Sequence, residues 1–232
     1  MVKSIKHQVK EFYSANQFPG TYKLDHILKI PNNSYISKLF EYITPIADVL
    51  DAGCGTGLIS NLIAYHNPNC NIVGIDFADS VLYAKEFAKK NNINNITYTQ
   101  TDFLNFSSNK KYDIVIALGL LHHMPDYAAG AELLKTLVKP NGFLLLSSFY
   151  PTGTYVKKIF PVKFKNSVFS NDQFNNPYEI SFTVSEIKKL FYGFNLVDAY
   201  PKINNLLALR MLMNYKNNGL ILYILQKKEG KL

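Results

Sequence analysis

The sequence predicts an α/β fold with a parallel sheet at its centre, and three observations carry that prediction. Apolar strand-like runs alternate with segments of helical periodicity from residue 49 to residue 148. Within Tyr112-Asp113-Ile114-Val115-Ile116-Ala117 the apolar residues are consecutive, as expected of a strand covered on both faces. Val49-Leu50-Asp51-Ala52 runs into Gly53-Cys54-Gly55-Thr56-Gly57 and then into a helical pattern from Leu58, a strand–turn–helix junction that places a ligand at the carboxyl edge of the sheet.

Residues 3–14 have helical spacing, and the aromatic stretch from Phe12 to Phe18 runs into a Pro19-Gly20 turn. A helix around 35–42 is stopped by Pro45 ahead of the first strand. Leu58 to Tyr65 is the first core helix, and 71–76 is the second strand. The amphipathic stretch 79–90 is the next helix, with Asp79 or Ser80 as its cap. Strands follow at 96–100 and 112–117, then a helix over 126–138, a turn at Lys139-Pro140-Asn141-Gly142 and a fifth strand over 143–148. Residues 150–180 hold three prolines, many Asn and aromatic residues and little helical periodicity, and are expected to be an insertion that carries specificity. Thr183 and Glu186 are spaced as a capping box for a helix over 183–192. Strands over 194–200 and 219–226 close the chain, with an apolar helix candidate at 206–213 between them whose default role is core packing.

A chain of 232 residues, 47% of them hydrophobic, suits a single domain. Its expected parts are an N-terminal segment to residue 45, a core over 46–149, the insertion over 150–182 and closing elements over 183–232. The formal net charge is +8, but the basic residues are scattered and all except Arg210 are lysine. Arginine is the favoured tool for bidentate phosphate or guanine contacts, so a solvated lysine surface is the preferred reading over a nucleic-acid partner. Cys54 and Cys70 have neither metal spacing nor a disulfide framework, so no metal is expected. No apolar run approaches the ~18 residues that cross a bilayer, and the start lacks a signal-peptide core, which makes the expected location cytoplasmic. The oligomeric state is left open.

The chemistry gathers at the glycine turn. A dinucleotide fingerprint reads G-x-G-x-x-G, whereas here the third glycine comes one residue early and position 58 is leucine. Asp51 at the strand tip would repel a phosphate and suits an ammonium or another hydrogen-bond donor. The turn is expected to present unpaired N–H groups of the following helix to a ligand. Asp76 ends the second strand 19 residues past Gly57, close to the ~20-residue spacing at which a carboxylate holds a ribose diol. Phe77 is placed to pack on an adenine, and Asp102-Phe103 follow the third strand at the same edge.

These residues resemble the class I S-adenosylmethionine-dependent methyltransferases, whose first motif is an acidic residue followed by G-x-G-x-G. The resemblance covers residues 47–148 well and the remainder in outline. It implies a Rossmann-like three-layer sandwich with a seven-stranded, mostly parallel sheet ordered 3-2-1-4-5-7-6 and the last strand antiparallel. It also implies S-adenosylmethionine as cofactor, held by Asp51, Gly53, Cys54, Gly55, Gly57, Asp76, Phe77, Asp102, Phe103 and Leu118. Tyr13 or Tyr22 in the N-terminal segment is expected to close the pocket. Asp102 is expected to accept the adenine amino group, with a turn cap as its alternative role.

The stretch Leu118-Gly119-Leu120-Leu121-His122-His123-Met124-Pro125 resembles the fourth motif of the small-molecule members. It has neither the Asn-Pro-Pro-Tyr loop of enzymes that methylate base amines nor a Pro-Cys nucleophile. The expected reaction is methyl transfer to an oxygen, nitrogen or carbon of a small molecule, with His122 or His123 as the candidate base. Structural roles for both histidines, an RNA acceptor, and a non-catalytic cofactor-binding module stand as the alternatives.

Overall fold

A computed structural model describes residues 4–30, 35–150, 178–200 and 219–229. The expected insertion therefore lies largely outside the described residues, and the 206–213 helix wholly so.

Seven strands make one sheet: β1 (Asp48–Ala52), β2 (Asn71–Asp76), β3 (Ile96–Gln100), β4 (Tyr112–Leu118), β5 (Val138–Tyr150), β6 (Phe194–Tyr200) and β7 (Gly219–Lys227). Their spatial order is β3-β2-β1-β4-β5-β7-β6. The first five pair in parallel, and β7 runs antiparallel to both β5 and β6. The order implied by the resemblance is the order found.

Alternation along the strands builds a core on each face. In β4, Val115 and Ala117 face one apolar cluster and Ile114 and Ile116 the other, and all four are essentially buried. The first cluster takes in Leu134 of α5 (Tyr127–Leu137) and Ile187 of α6 (Val184–Leu190). The second takes in Leu39 of α2 (Tyr35–Phe40), Leu62 of α3 (Leu58–His66) and Phe87 of α4 (Ser80–Lys90). Helices thus cover both faces, giving the three-layer Rossmann-like sandwich. Each fully buried Ile or Leu contributes roughly 1.5–3 kcal/mol of burial free energy.

Helix ends follow local chemistry. Ser4 caps α1 (Ile5–Ala15) through the His7 N–H at 3.3 Å, and Asp126 caps α5 through the Ala129 N–H at 3.0 Å. The predicted capping box is present: Glu186 accepts the Thr183 N–H at 2.7 Å, and the Glu186 N–H donates to the Thr183 hydroxyl at 3.3 Å. Asp79 occupies the cap position of α4 but does not cap it, because its carboxylate accepts from Gln100 Nε2 at 2.8 Å instead. The predicted turn at 139–142 lies inside β5. Val138 already pairs with Tyr112, and Asn141 at φ 61° together with a register shift between Tyr112 and Ile114 is what remains of the turn.

Strand order reverses between β1 and β4, and at that switch point the carboxyl ends of neighbouring strands diverge to leave a crevice. The glycine turn after β1 and the histidine turn after β4 flank it.

Candidate active site

A cavity of about 650 Å³ opens at this edge, within the size range of small-molecule sites. Ten of the residues singled out by sequence line it: Tyr13, Gly53, Gly55, Asp76, Phe77, Asp102, Phe103, Leu118, His122 and His123. Asp51, Cys54 and Gly57 stand behind the wall. Asp51 is 3% exposed and accepts the Ser60 hydroxyl, and burial pushes its pKa up to about 7, with the nearby Asp76 adding to the rise.

The N–H groups of the turn itself are engaged by the protein. Those of Gly53 and Cys54 donate to the Ile75 carbonyl at 2.8 and 3.0 Å, and that of Gly55 to Asp76 Oδ2 at 2.8 Å. The Thr56 N–H donates to the Phe18 carbonyl at 3.0 Å, and that of Gly57 to the Cys54 carbonyl at 2.9 Å. No N–H from 53 to 57 is left for a phosphate. Gly55, at φ +55°, is required by the chain itself: a Cβ there would lie 2.3 Å from the Phe18 carbonyl oxygen.

The N-terminal segment forms one wall. Lys6, Phe12 and Tyr13 of α1 line the cavity together with Phe18 and Pro19. Tyr22 does not reach it. Its hydroxyl donates to the Thr56 carbonyl at 3.0 Å and accepts from Asn61 Nδ2 at 2.8 Å, underneath the turn.

Two of the acids that line the cavity, Asp76 and Asp102, keep capacity for donors. Asp76 Oδ1 accepts the Ala78 N–H at 2.8 Å, Oδ2 accepts that of Gly55, and the Phe77 N–H also bonds the carboxylate, so three of its roughly four lone-pair sites are taken and capacity for a further donor remains. Burial raises its pKa, so donors from a bound ligand would stabilise the carboxylate. Asp102 takes its alternative role, accepting the Leu104 N–H at 3.0 Å as the cap of a short 3-10 turn, and it forms an ion pair with Lys6. Phe77 and Phe103 supply apolar surface on this side. Cavity carboxylates, aromatic flanks and a turn whose N–H groups from 53 to 57 are already bonded fit S-adenosylmethionine.

At the other end, Leu121–His123 forms a 3-10 turn after β4. The Gly119 N–H donates to the Ser147 hydroxyl at 2.9 Å, which holds the β4 exit against β5. His122 is 1% exposed, and burial followed by repulsion from His123 drives its pKa well below the ordinary histidine value. His123 is half-buried, contacts the Tyr178 carbonyl through Nδ1 at 3.0 Å and meets the Tyr13 ring edge-on at 5.5 Å. Ser147 and Lys6 escaped the sequence reading. Ser147 carried a signal, a hydroxyl within the apolar run 143–149, whereas the partner of Lys6 is set by tertiary structure alone.

Residues 43–203 match a family model described as a methyltransferase domain. A ubiquinone biosynthesis O-methyltransferase of Actinobacillus pleuropneumoniae serotype 5b (strain L20) is 30% identical over 140 residues, covering 57% of this chain and 58% of that protein. The chain thus spans well under two thirds of that relative's length. One of the same name from Rickettsia canadensis (strain McKiel) is 28% identical over 186 residues, 73% of this chain and 74% of that protein. Among solved structures, magnesium protoporphyrin IX methyltransferase from Synechocystis PCC 6803 with bound S-adenosylmethionine superposes with a TM-score of 0.64 at 19% identity, covering 97% of this chain and 99% of that one. The cyclase SpnF superposes with a TM-score of 0.64 at 16% identity over 84% and 80% of the two chains. Sheet order, the D-x-G-x-G-x-G turn and the family match over most of the chain agree: it belongs to the methyltransferase-domain family, the class I S-adenosylmethionine-dependent methyltransferases.

Proposed function

We propose that this protein transfers a methyl group from S-adenosylmethionine to an oxygen of a small molecule with an apolar, ring-sized body. The observation that carries the reading is one cavity lined by Asp76 and Asp102 at one end and by His123, Met124 and Phe149 at the other. A cofactor and an acceptor can meet there out of bulk water. The naming of the sequence relatives as O-methyltransferases supports oxygen as the atom methylated.

When bound, S-adenosylmethionine supplies an electrophilic methyl on a sulfonium. The chain's own work is positioning. Asp76 would hold the ribose hydroxyls, Asp102 the adenine amino group, and Phe77 and Phe103 the ring faces. Gly53, Gly55 and Leu118 would bound the methionine part. Asp51, behind the turn, would act on the cofactor's positive charge through its field. Holding two reactants in line contributes on the order of 7–11 kcal/mol. A histidine of the 122–123 pair takes the acceptor's proton.

Calorimetry with S-adenosylhomocysteine, followed by methyl-transfer assays on simple phenols and catechols, tests the proposal. Saturable binding and a methyl ether product are expected. A folded protein that binds no S-adenosylhomocysteine refutes it, and one that binds cofactor yet methylates no acceptor is a binding module instead.

A structured RNA acceptor is the alternative reading, although the scattered, almost all-lysine charge of +8 fits a solvated surface better. Tight RNA binding that weakens steeply with salt would support it.

A further inference from the structure

The methionine part of S-adenosylmethionine ends in a carboxylate, and the cavity wall offers that anion few donors. Asp76 and Asp102 are acids, with Asp51 behind them, and the N–H groups from 53 to 57 already donate to protein acceptors. Lys6 is the only lysine or arginine among the described lining residues, and it pairs with Asp102. An anion drawn out of bulk water without a donor is costly to hold. A donor for it has to come from another element.

Tyr35 supplies one. It is the first residue of α2, half-buried, and it lines the same cavity as Gly53 and Gly55. Its ring packs against the apolar cluster that holds Val49 of β1 and Leu62 of α3, which sets it beside the strand and helix that flank the glycine turn. It stands within the field of Asp51, buried beneath that turn. Its hydroxyl has no hydrogen-bond partner among the described residues. Burial first, and then the Asp51 charge, push its pKa up, so the phenol keeps its proton and stays a donor. Other neutral donors of the lining are less suited. Asn16 Nδ2 donates to the Phe12 carbonyl at 3.0 Å, the Thr101 hydroxyl bonds the Asp102 carbonyl at 3.4 Å, and Gln17 is exposed.

We propose that Tyr35 is a cofactor-positioning residue whose hydroxyl donates to the carboxylate of the methionine part of S-adenosylmethionine. This deepens the proposed methyl transfer and rests on its cofactor. The field of Asp51 acts in opposite senses on the groups of that part: it favours the ammonium and the sulfonium and disfavours the carboxylate. A neutral phenol on the cavity side offsets the second effect and leaves the first intact, whereas a lysine there would compete for the Asp51 charge. The pocket thereby distinguishes the intact cofactor from a decarboxylated one.

Calorimetry with three ligands tests this without turnover: S-adenosylhomocysteine, its decarboxylated counterpart, which keeps the amine, and methylthioadenosine, which lacks both groups. Tyr35→Phe is expected to weaken S-adenosylhomocysteine by about 10- to 100-fold, as expected for one hydrogen bond to a charged group, and to leave the other two ligands unchanged. Equal loss on all three would make Tyr35 a packing residue and overturn the proposal, and so would no loss on any. A carboxylate-specific loss in Gln17→Ala with none in Tyr35→Phe would overturn it as well. In wild type labelled with carbon-13 at tyrosine Cζ, the Tyr35 resonance, identified by its absence from Tyr35→Phe, is expected to move with S-adenosylhomocysteine and much less with the decarboxylated ligand. Identical movement with both would overturn the assignment. Wild type that binds none of the three ligands would instead overturn the proposed function beneath it.

Discussion

Lys6 on α1 forms an ion pair with Asp102, the carboxylate proposed above to receive an adenine amino group. The lysine side chain is 52% exposed and the aspartate 18%, so the pair is partly solvated and its contribution to stability is small, at most about 1 kcal/mol. Its consequence is competition: an oxygen engaged by Lys6 has less capacity for the ligand. Lys6→Ala is expected to change thermal stability by no more than a few degrees. It is also expected to tighten S-adenosylhomocysteine binding a few-fold, by calorimetry. A marked loss of affinity would mean that the pair organises the site.

Asp76 carries two loads, since its oxygens hold the Gly55 and Ala78 N–H groups and face the cavity. Asp76→Asn keeps one acceptor and replaces the other with a donor, which would face a backbone N–H or a ligand hydroxyl. Hydrogen bonds to charged groups contribute roughly 1.5–3 kcal/mol, so cofactor affinity is expected to fall on the order of 10- to 100-fold. Binding within two-fold of wild type would remove Asp76 from the ribose contact.

Two glycines with positive φ separate backbone strain from steric clash. Gly119 at φ +73° faces open space, and Gly119→Ala is expected to cost about 1 kcal/mol, the left-handed penalty alone. At Gly55 the added methyl would also strike the Phe18 carbonyl oxygen. Gly55→Ala should therefore cost more than Gly119→Ala in denaturant unfolding, and it should raise amide exchange at Thr56, whose N–H bonds that carbonyl. Equal costs at the two sites would show that the Phe18 contact does not constrain the turn.

Much of this arrangement could be inferred from sequence because its signals are local. Asp76 sits where an apolar strand ends in an acid, and the capping box of Thr183 and Glu186 is a spacing of three. What escaped was tertiary. Nothing around Phe18 indicates that its carbonyl will dock on Thr56, so the constraint that the chain's own N-terminal segment places on Gly55 is not legible in the sequence. The pairing of the turn's N–H groups escaped for the same reason, since the Ile75 carbonyl belongs to another strand. Ser147 sits between these cases: its hydroxyl is conspicuous in an apolar strand, but its partner Gly119 is visible only once β4 and β5 are paired.

Asp51 makes the pH behaviour specific. Its folded pKa of about 7 lies above the ~3.9 of an unfolded aspartate, so between those values the folded state keeps a proton that the unfolded state has released. Stability from this group therefore falls as pH rises from about 4 to 7, by at most about 4 kcal/mol over the window. His122, with its pKa pushed down, contributes the opposite slope below ~6.5, and Asp48, Asp198 and Glu186, held low by their partners, lose their contributions only as pH falls through the acid range. The difference between wild type and Asp51→Asn reports Asp51 together with its coupling to Asp76, whose raised pKa gives a slope of the same sign, while asparagine can still accept the Ser60 hydroxyl. Relative to wild type, the variant should gain stability steadily from pH 4 to 7 in urea unfolding. The same linkage reaches the cofactor, because S-adenosylmethionine carries one more positive charge than S-adenosylhomocysteine and favours the ionised carboxylate. Near pH 6, calorimetry in buffers of different ionisation enthalpy should show more proton release with S-adenosylmethionine than with S-adenosylhomocysteine in wild type, and no such difference in Asp51→Asn. Identical proton release by wild type and variant would show that Asp51 does not sense the cofactor's charge.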